Sequence, residues 1–278
     1  MYKKYIYRDI TLSDEKDILE ISRGIWEGSD YIPYVWKKFV QNENYHFKGL
    51  EIDGIIVGFS DMIMFNRDSA WFEGLRVLST ERGKGYGKYI STNMMKYALS
   101  KGIKHFYFST YYENKESIKL HEKMNFKIVK KYKYLIKENI DNKGDLNKSI
   151  EEPIYPDRII NNDWVFIIPE TQDKKRFFPN AGLIKDDYNN MVLFSDDLKS
   201  DRNLSINYIK FNDENNFSKL MNDLENICYS REKRNISVMC ENEECISIMK
   251  RAGYSGFTDE KLDVFLYYVE KNDLDLNI

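Results

Sequence analysis

The sequence has few cysteines, little net charge and no long apolar run. Its three cysteines (Cys228, Cys240 and Cys245) include no C-x-x-C pair, so neither a disulfide framework nor a zinc site is predicted. The formal net charge of −3 gives no general attraction to nucleic acid or to an anionic membrane. No segment approaches the ~18 apolar residues that a membrane span requires. We therefore expect no metal, no nucleic-acid partner and no membrane partner.

Residues 1–9 also lack the apolar stretch of a secretory signal. Together with the cysteine pattern, this predicts a protein of the reduced cytoplasm. The 278 residues are 42% apolar and 31% charged, which is typical of one large or two ordinary globular domains.

The most informative stretch is the glycine-rich RGKGYG at 82–87. The aromatic and β-branched run 69–77 before it predicts a strand, and the apolar spacing over 88–100 predicts a helix. A turn between strand and helix directs backbone N–H groups and the helix dipole at one point. Its three glycines let a bulky anion approach the backbone. We predict a phosphate or pyrophosphate site, the alternative being a turn that only connects two elements.

Two motifs together resemble a known family. The spacing R-x-x-G-x-G at 82–87 resembles motif A of the GCN5-related N-acetyltransferases (GNAT), and N-x-x-S-x-x-L-H-x-x-x-N-F at 114–126 resembles the family's second motif. The resemblance implies an α/β (α+β) fold with a central mixed, mostly antiparallel sheet. It also implies an N-acetyltransferase that uses acetyl-CoA as co-substrate, without a metal.

The resemblance assigns roles to the backbone around the first motif. The last strand residues would hold the pantetheine arm, with the Val77 N–H as oxyanion donor. The turn would hold the pyrophosphate, and the second motif would reach the pantetheine. The implied cofactor-binding residues are Leu75, Arg76, Val77, Arg82, Gly83, Lys84, Gly85, Tyr86, Gly87, Lys88, Asn114 and Ser117.

Two residues are candidates for proton transfer. Glu73 is a lone carboxylate in an apolar strand and suits a general base, the alternative being a structural carboxylate. His121 stands where the family often has the tyrosine acid, although a lone histidine on a helix is more often structural. Tyr111 and Tyr112 are alternative acids. No cysteine lies near the motifs, so direct transfer in a ternary complex is expected.

The acceptor site is predicted in the aromatic stretch 26–36. Trp26, Asp30 and Tyr31 combine aromatic rings with a carboxylate, which suits a small cationic amine, although some of these side chains would also serve as core. Residues 21–25 and 30–33 are similar to the histidine N-acetyltransferase group, and this resemblance implies an amino acid as one acceptor to test. Two alternatives stay open: a protein or peptide amine, and an acetyl-CoA sensor without turnover.

Three segments are predicted: a catalytic domain at 1–138, a polar linker at 139–152 and a degenerate GNAT-like domain at 153–278. A shift of 128 residues aligns 113–118 with 241–246, although chance similarity of two α/β stretches is the alternative. The second turn, 210–215, lacks glycine and contains carboxylates, so it is not expected to bind CoA. Three roles are open for this lobe: covering a sheet edge, shaping the acceptor pocket, or forming a homodimer contact.

Local signals predict several details. Ser13 is expected to cap a first helix, 26–34 to form a loop, and 35–41 to form a second helix. Asp53-Gly54 is predicted to form a hairpin turn, and Asn125 to take a positive φ. Residues 126–129 and 132–136 are predicted as two separate strands.

Overall fold

A computed structural model describes residues 4–141, 144, 149–258 and 262–277. The centre of the predicted linker and residues 1–3 lie outside this part. By their contacts the residues form two compact units. Unit 1 comprises Met1–Phe108, Lys115–Lys127 and Tyr267–Ile278, and unit 2 comprises Ser109–Asn114 and Ile128–Leu266. Relative to the predicted domains, residues 109–114 and 128–138 fall in unit 2, and residues 267–278 fall in unit 1. The functional domain boundaries stay predictions.

The described residues form six α-helices and thirteen strands. The helices are α1 (Glu15–Ser22), α2 (Ile32–Gln41), α3 (Tyr86–Ser100), α4 (Lys115–Lys123), α5 (Glu214–Ser230) and α6 (Glu243–Arg251). The strands are β1 (Tyr5–Asp9), β2 (Lys48–Ile52), β3 (Ile55–Met64), β4 (Ser69–Val77), β5 (His105–Tyr111), β6 (Lys127–Lys137), β7 (Ile160–Asn162), β8 (Val165–Ile167), β9 (Gly182–Lys185), β10 (Met191–Asp196), β11 (Asn203–Lys210), β12 (Asn235–Cys240) and β13 (Val264–Glu270).

Unit 1 contains a mixed sheet in the order β1-β2-β3-β4-β5. Its pairs are antiparallel except β4 with β5, which are parallel and are joined by α3. The apolar stripes of α1 and α2, including Ile18 and Trp36, form one core cluster with the sheet residue Phe59. Ile90 of α3 belongs to a second cluster with residues of β2 and β3. The predicted fold class, with a mixed and mostly antiparallel sheet, is confirmed.

Several predicted details are confirmed in unit 1 and others are wrong. Asp53 and Gly54 both have positive φ and make the predicted hairpin turn, and Asn125 has φ 68°. The second helix begins at Ile32 and not at residue 35, because Pro33 lies in its first turn, where a missing N–H costs no hydrogen bond. Ser13 does not cap α1, since Asp14 precedes it.

Unit 2 contains a sheet in the order β6-β12-β11-β10-β9. The pair β11 with β12 is parallel and is joined by α5, whereas the other pairs are antiparallel. The two strands predicted over 126–136 are one continuous strand, β6. The predicted elements between 205 and 269 lie within about two residues of β11, α5, β12, α6 and β13. The two units therefore share the order strand, helix, parallel strand, helix.

Candidate active site

The predicted phosphate turn lies between β4 and α3. Gly83 has φ 77° and Gly85 has φ 83°, and a Cβ added to either would meet no atom within 4 Å. Gly85 is the N-cap of α3 and has no side chain with which to cap the helix. The first intrahelical bond comes from the N–H of Tyr89 to the carbonyl of Gly85, at 3.0 Å. The N–H groups of residues 86–88 therefore precede the first intrahelical bond and lie at the positive end of the helix dipole.

The basic side chains of the turn are held at its edge. The Nζ of Lys84 lies 2.9 Å from a carboxylate oxygen of Glu81, and the Nε of Arg82 donates to the carbonyl of Val77 at 3.3 Å. Gly87 lies in the first helical turn, with Val77 Cγ2 3.8 Å from its virtual Cβ. Backbone N–H groups thus make up the floor of the turn, and the cations of Arg82 and Lys84 lie at its exposed rim.

β4 leaves its parallel neighbour before it reaches this turn. The pairing of β4 with β5 joins residues 69–71 to residues 105–107, and β4 then continues to Val77. In the β3–β4 pair, Asp61 of β3 lies opposite Glu73, and Phe59 of β3 lies opposite Arg76. Residues 74 and 75 of β4 therefore oppose the single residue 60 of β3. Gly74, with φ 68°, is one of the two and makes a β-bulge that turns the following side chains.

The bulge leaves backbone N–H groups on the open side of β4. The N–H of Leu78 donates to the carbonyl of Val57 in β3 at 2.9 Å. Since successive N–H groups of a strand point in opposite directions, the N–H of Val77 points away from β3. This is the orientation that an oxyanion donor on this strand requires.

Glu73 lies half-buried on β4, just before the bulge. The Nε1 of Trp71 donates to its Oε2 at 3.2 Å, and this bond fixes the carboxylate next to a buried ring. Asp61, which is fully buried, faces Glu73 across the β3–β4 pair. The β3–β4 pair therefore holds two neighbouring carboxylates, with Asp61 within the core and Glu73 at its edge.

Asp30 and Arg76 form a buried bidentate ion pair. The Nη2 and Nε of Arg76 donate to the two carboxylate oxygens of Asp30 at 2.9 and 3.1 Å, and Asp30 is only 1% exposed. Burial alone lowers the pKa of Arg76, but the hydrogen bonds and charge of Asp30 outweigh it and the pKa is raised. The predicted amine ligand Asp30 is therefore already engaged. The side chain of Arg76, for which only a backbone role was expected, is the residue that sequence reasoning missed.

Trp26 covers this ion pair from the exposed side. Its ring centroid lies 4.5 Å from the guanidinium carbon of Arg76, and the ring of Tyr31 lies 5.7 Å from the same atom. Trp26 and Glu27 both have left-handed φ angles of 45° and 56°, which cost about 1–3 kcal/mol each for non-glycine residues. Trp26 is nevertheless 53% exposed. A strained backbone that presents an exposed aromatic ring is typical of a binding surface.

His121 lies inside unit 1. Its ring centroid lies 4.3 Å from that of Phe108 in a tilted contact and 5.5 Å from that of Phe126 in an edge-to-face contact. Its Nδ1 lies 2.8 Å from the carbonyl oxygen of Ser117. Burial lowers the pKa of His121 to about 4. The imidazole is therefore neutral near pH 7, with Nδ1–H donating along the helix, and no charged acid is available there.

The other predicted residues have internal contacts. Within unit 1 the Oγ of Ser117 lies 3.3 Å from the Nδ1 of His121. Asn114, Tyr111 and Tyr112 belong to unit 2, where the Nδ2 of Asn114 donates to the Oγ1 of Thr110 at 3.1 Å. Among the described residues, no cluster of three or more His, Cys, Asp or Glu side chains is suited to a metal ion. No helix in the described part of the chain could span a membrane.

A parallel strand pair that separates in front of an uncapped, glycine-rich helix N-terminus is the arrangement that the resemblance to acetyltransferases predicts. Residues 15–126 match the acetyltransferase (GNAT) family model, and this part of the chain belongs to that family.

Three known proteins are similar to this chain. A histidine N-acetyltransferase of Xenopus tropicalis is 26% identical over 197 residues, which cover 68% of this chain and 58% of that protein. A putative acetyltransferase structure from Thermoplasma acidophilum covers 95% of this chain and 99% of its own, with a TM-score of 0.64 at 15% identity. A second putative acetyltransferase, from Pyrococcus horikoshii, has a TM-score of 0.61 at 13% identity and covers 99% of this chain and 92% of its own. The two structures show a shared fold.

Proposed function

We propose that the chain transfers the acetyl group of acetyl-CoA directly to the primary amine of a small molecule, with a free amino acid as the first class to test. The observation that supports it best is the open backbone of β4 between Glu73 and the glycine turn. Acetyl-CoA would supply an activated acetyl group. The turn at 82–88 would bind its pyrophosphate, and the backbone of residues 75–77 would bind the pantetheine arm.

Three groups would do the chemistry on β4. Glu73 would accept the proton of the attacking amine, directly or through a water molecule. The N–H of Val77 would stabilise the negative charge that develops on the carbonyl oxygen. The new C–N bond replaces the C–S bond, and the leaving thiolate then takes a proton. We assign His121 a packing role, because its neutral, buried imidazole donates within its own helix.

Trp26 and Tyr31 would form the wall of the acceptor site. Asp30 would act as a positioning residue that holds Arg76 beneath the Trp26 ring. The name of the Xenopus relative makes histidine a sensible first acceptor for this chain.

The test combines an acceptor panel with one variant. CoA thiol release is measured with free amino acids, histidine among them, and with polyamines, aminoglycosides and lysine peptides. Glu73→Gln should lower kcat about 100-fold while acetyl-CoA affinity, measured by calorimetry, stays unchanged. Glu20→Gln on the exposed face of α1 is the matched control and should retain full activity.

Three outcomes would overturn parts of the proposal. Turnover with lysine peptides and with no small amine would assign a protein acceptor. Tight acetyl-CoA binding without turnover on any amine would indicate an acetyl-CoA sensor and not an enzyme that acetylates a free amine. Full activity of Glu73→Gln would remove Glu73 from the chemistry.

A further inference from the structure

Unit 2 contains a cavity beside β11 and β12. These two strands form the parallel pair of unit 2, as β4 and β5 do in unit 1. The parallel pairing of β11 with β12 joins residues 203–206 to residues 235–238, and both strands then continue. A cavity of about 120 Å³ begins there. Since ~10–15 Å³ of such volume holds one water molecule, the cavity has room for a small organic molecule. Its lining includes Tyr132, Arg158, Asn207, Tyr208 and Glu241.

Two deeply buried polar atoms belong to residues of this lining. The hydroxyl of Tyr132 and the Oδ1 of Asn207 have no hydrogen-bond partner among the described residues, and their side chains are 2% and 3% exposed. The other end of the Asn207 amide is fixed, because its Nδ2 donates to the carbonyl of Asn161 at 2.9 Å. Oδ1 is therefore an oriented acceptor. A buried polar group without a partner costs about 1–3 kcal/mol, which a bound donor would recover.

The charged residues of the lining, Arg158 and Glu241, form an ion pair, and Lys130 adds a second cation beside Glu241. Arg158 donates to one oxygen of Glu241, and the Nζ of Lys130 lies 2.6 Å from the other oxygen. The guanidinium of Arg158 also lies 5.6 Å from the ring of Tyr208. A ligand with both a carboxylate and an ammonium group can exchange partners with such a pair and leave no charge unpaired.

The topology of unit 2 also suggests a CoA ligand, but the turn between β11 and α5 does not suit one. The Oδ1 of Asn190 accepts from the N–H groups of Asn212 and Asp213 at 2.7 and 3.0 Å. The carboxylate of Asp213 accepts from the N–H of Asn216 at 2.9 Å. The groups that would bind a pyrophosphate are thus occupied, so a nucleotide-sized CoA ligand does not fit this site.

We propose that the cavity between β11 and β12 is a second ligand site, which binds a free amino acid with an N–H or O–H donor in its side chain. The side-chain donor meets Asn207 Oδ1 and the Tyr132 hydroxyl. The α-carboxylate and α-ammonium meet Arg158 and Glu241. This site is independent of the acetyl transfer proposed for unit 1.

The experiment measures binding of the twenty amino acids to the full chain without acetyl-CoA, by calorimetry or ligand-observed NMR. Tyr132→Phe removes one unpartnered hydroxyl and keeps the ring, so it should weaken binding about tenfold without lowering Tm. Tyr254→Phe is the matched control. It removes another buried hydroxyl of unit 2 without a described partner, outside the cavity lining, and should leave affinity unchanged.

Three results would overturn this proposal. The first is the absence of binding by every amino acid at millimolar concentration, which would assign the cavity to water. The second is equal affinity of Tyr132→Phe and the unaltered chain, which would place the bound molecule elsewhere, including the acceptor site of unit 1. The third is an equal loss in both tyrosine variants.

Discussion

The two units build the same strand–turn–helix connection and treat its N–H groups in opposite ways. In unit 1, Gly85 begins α3 without a capping side chain, and the turn is open. In unit 2, Asp213 caps α5 with its carboxylate, and Asn190 accepts from the two preceding N–H groups. The topology alone therefore does not decide whether such a turn binds an anion. The residue at the N-cap and the neighbours of the turn decide it.

A second difference lies in the helices that follow. The shift of 128 residues aligns His121 of α4 with Met249 of α6 in sequence. Both side chains are buried. One unit thus buries a titratable ring and the other buries a thioether. Packing is satisfied in both units, but only unit 1 couples this position to pH.

The largest effect is expected when the turn of unit 1 receives the capping residue of unit 2. Gly85→Asp places a carboxylate over the N–H groups that the pyrophosphate would use. Losing two charge-assisted hydrogen bonds at ~2 kcal/mol each should weaken acetyl-CoA binding about 1,000-fold, which calorimetry would measure. Gly54→Asp is the matched control, because Gly54 also has a positive φ and open space around its virtual Cβ. Wild-type affinity of Gly85→Asp would show that the turn is not the anion site.

Much of this arrangement could be predicted from the sequence, because local signals determine it. The strand before Gly83, the helix after it and the positive φ of Asn125 follow from residue type and spacing. The ion pair of Asp30 with Arg76 could not be predicted, since the two residues are 46 positions apart in sequence. The bulge at Gly74, which turns the side chain of Arg76, has no clear local signal either. The four strands between 160 and 196 were missed because each has only three to six residues.

The next effect concerns pH and the buried histidine. The unfolded chain binds this proton near pH 6.5, whereas the folded chain binds it near pH 4, so the unfolded state holds more protons between these values. The contribution of the neutral His121 ring to the free energy of unfolding is therefore fully present above pH 6.5. It falls by about 3 kcal/mol as the pH drops toward 4. His121→Met, which copies unit 2, should remove this part of the pH dependence.

Urea unfolding at pH 7.5 and pH 4.5 would measure it for both proteins. At pH 7.5 the variant should be close to the unaltered chain, because methionine fills a similar volume. At pH 4.5 the variant should be the more stable of the two. An equal loss of stability in both proteins would assign the acid sensitivity to other groups, such as the carboxylates.

The smallest effect is expected from the reverse exchange in unit 2. Asp213→Gly removes the capping carboxylate, but glycine is tolerated at an N-cap, so Tm should fall by only about 1 °C. Acetyl-CoA binding should not appear at this turn, because Asn190 still occupies the N–H groups of residues 212 and 213 and no glycine precedes them. In the double variant Gly85→Asp with Asp213→Gly, the turn of unit 1 is blocked and only the turn of unit 2 could bind acetyl-CoA. Calorimetry of this variant should detect no acetyl-CoA binding. Recovered binding in that variant would mean that one carboxylate alone separates a CoA-binding unit from a degenerate one.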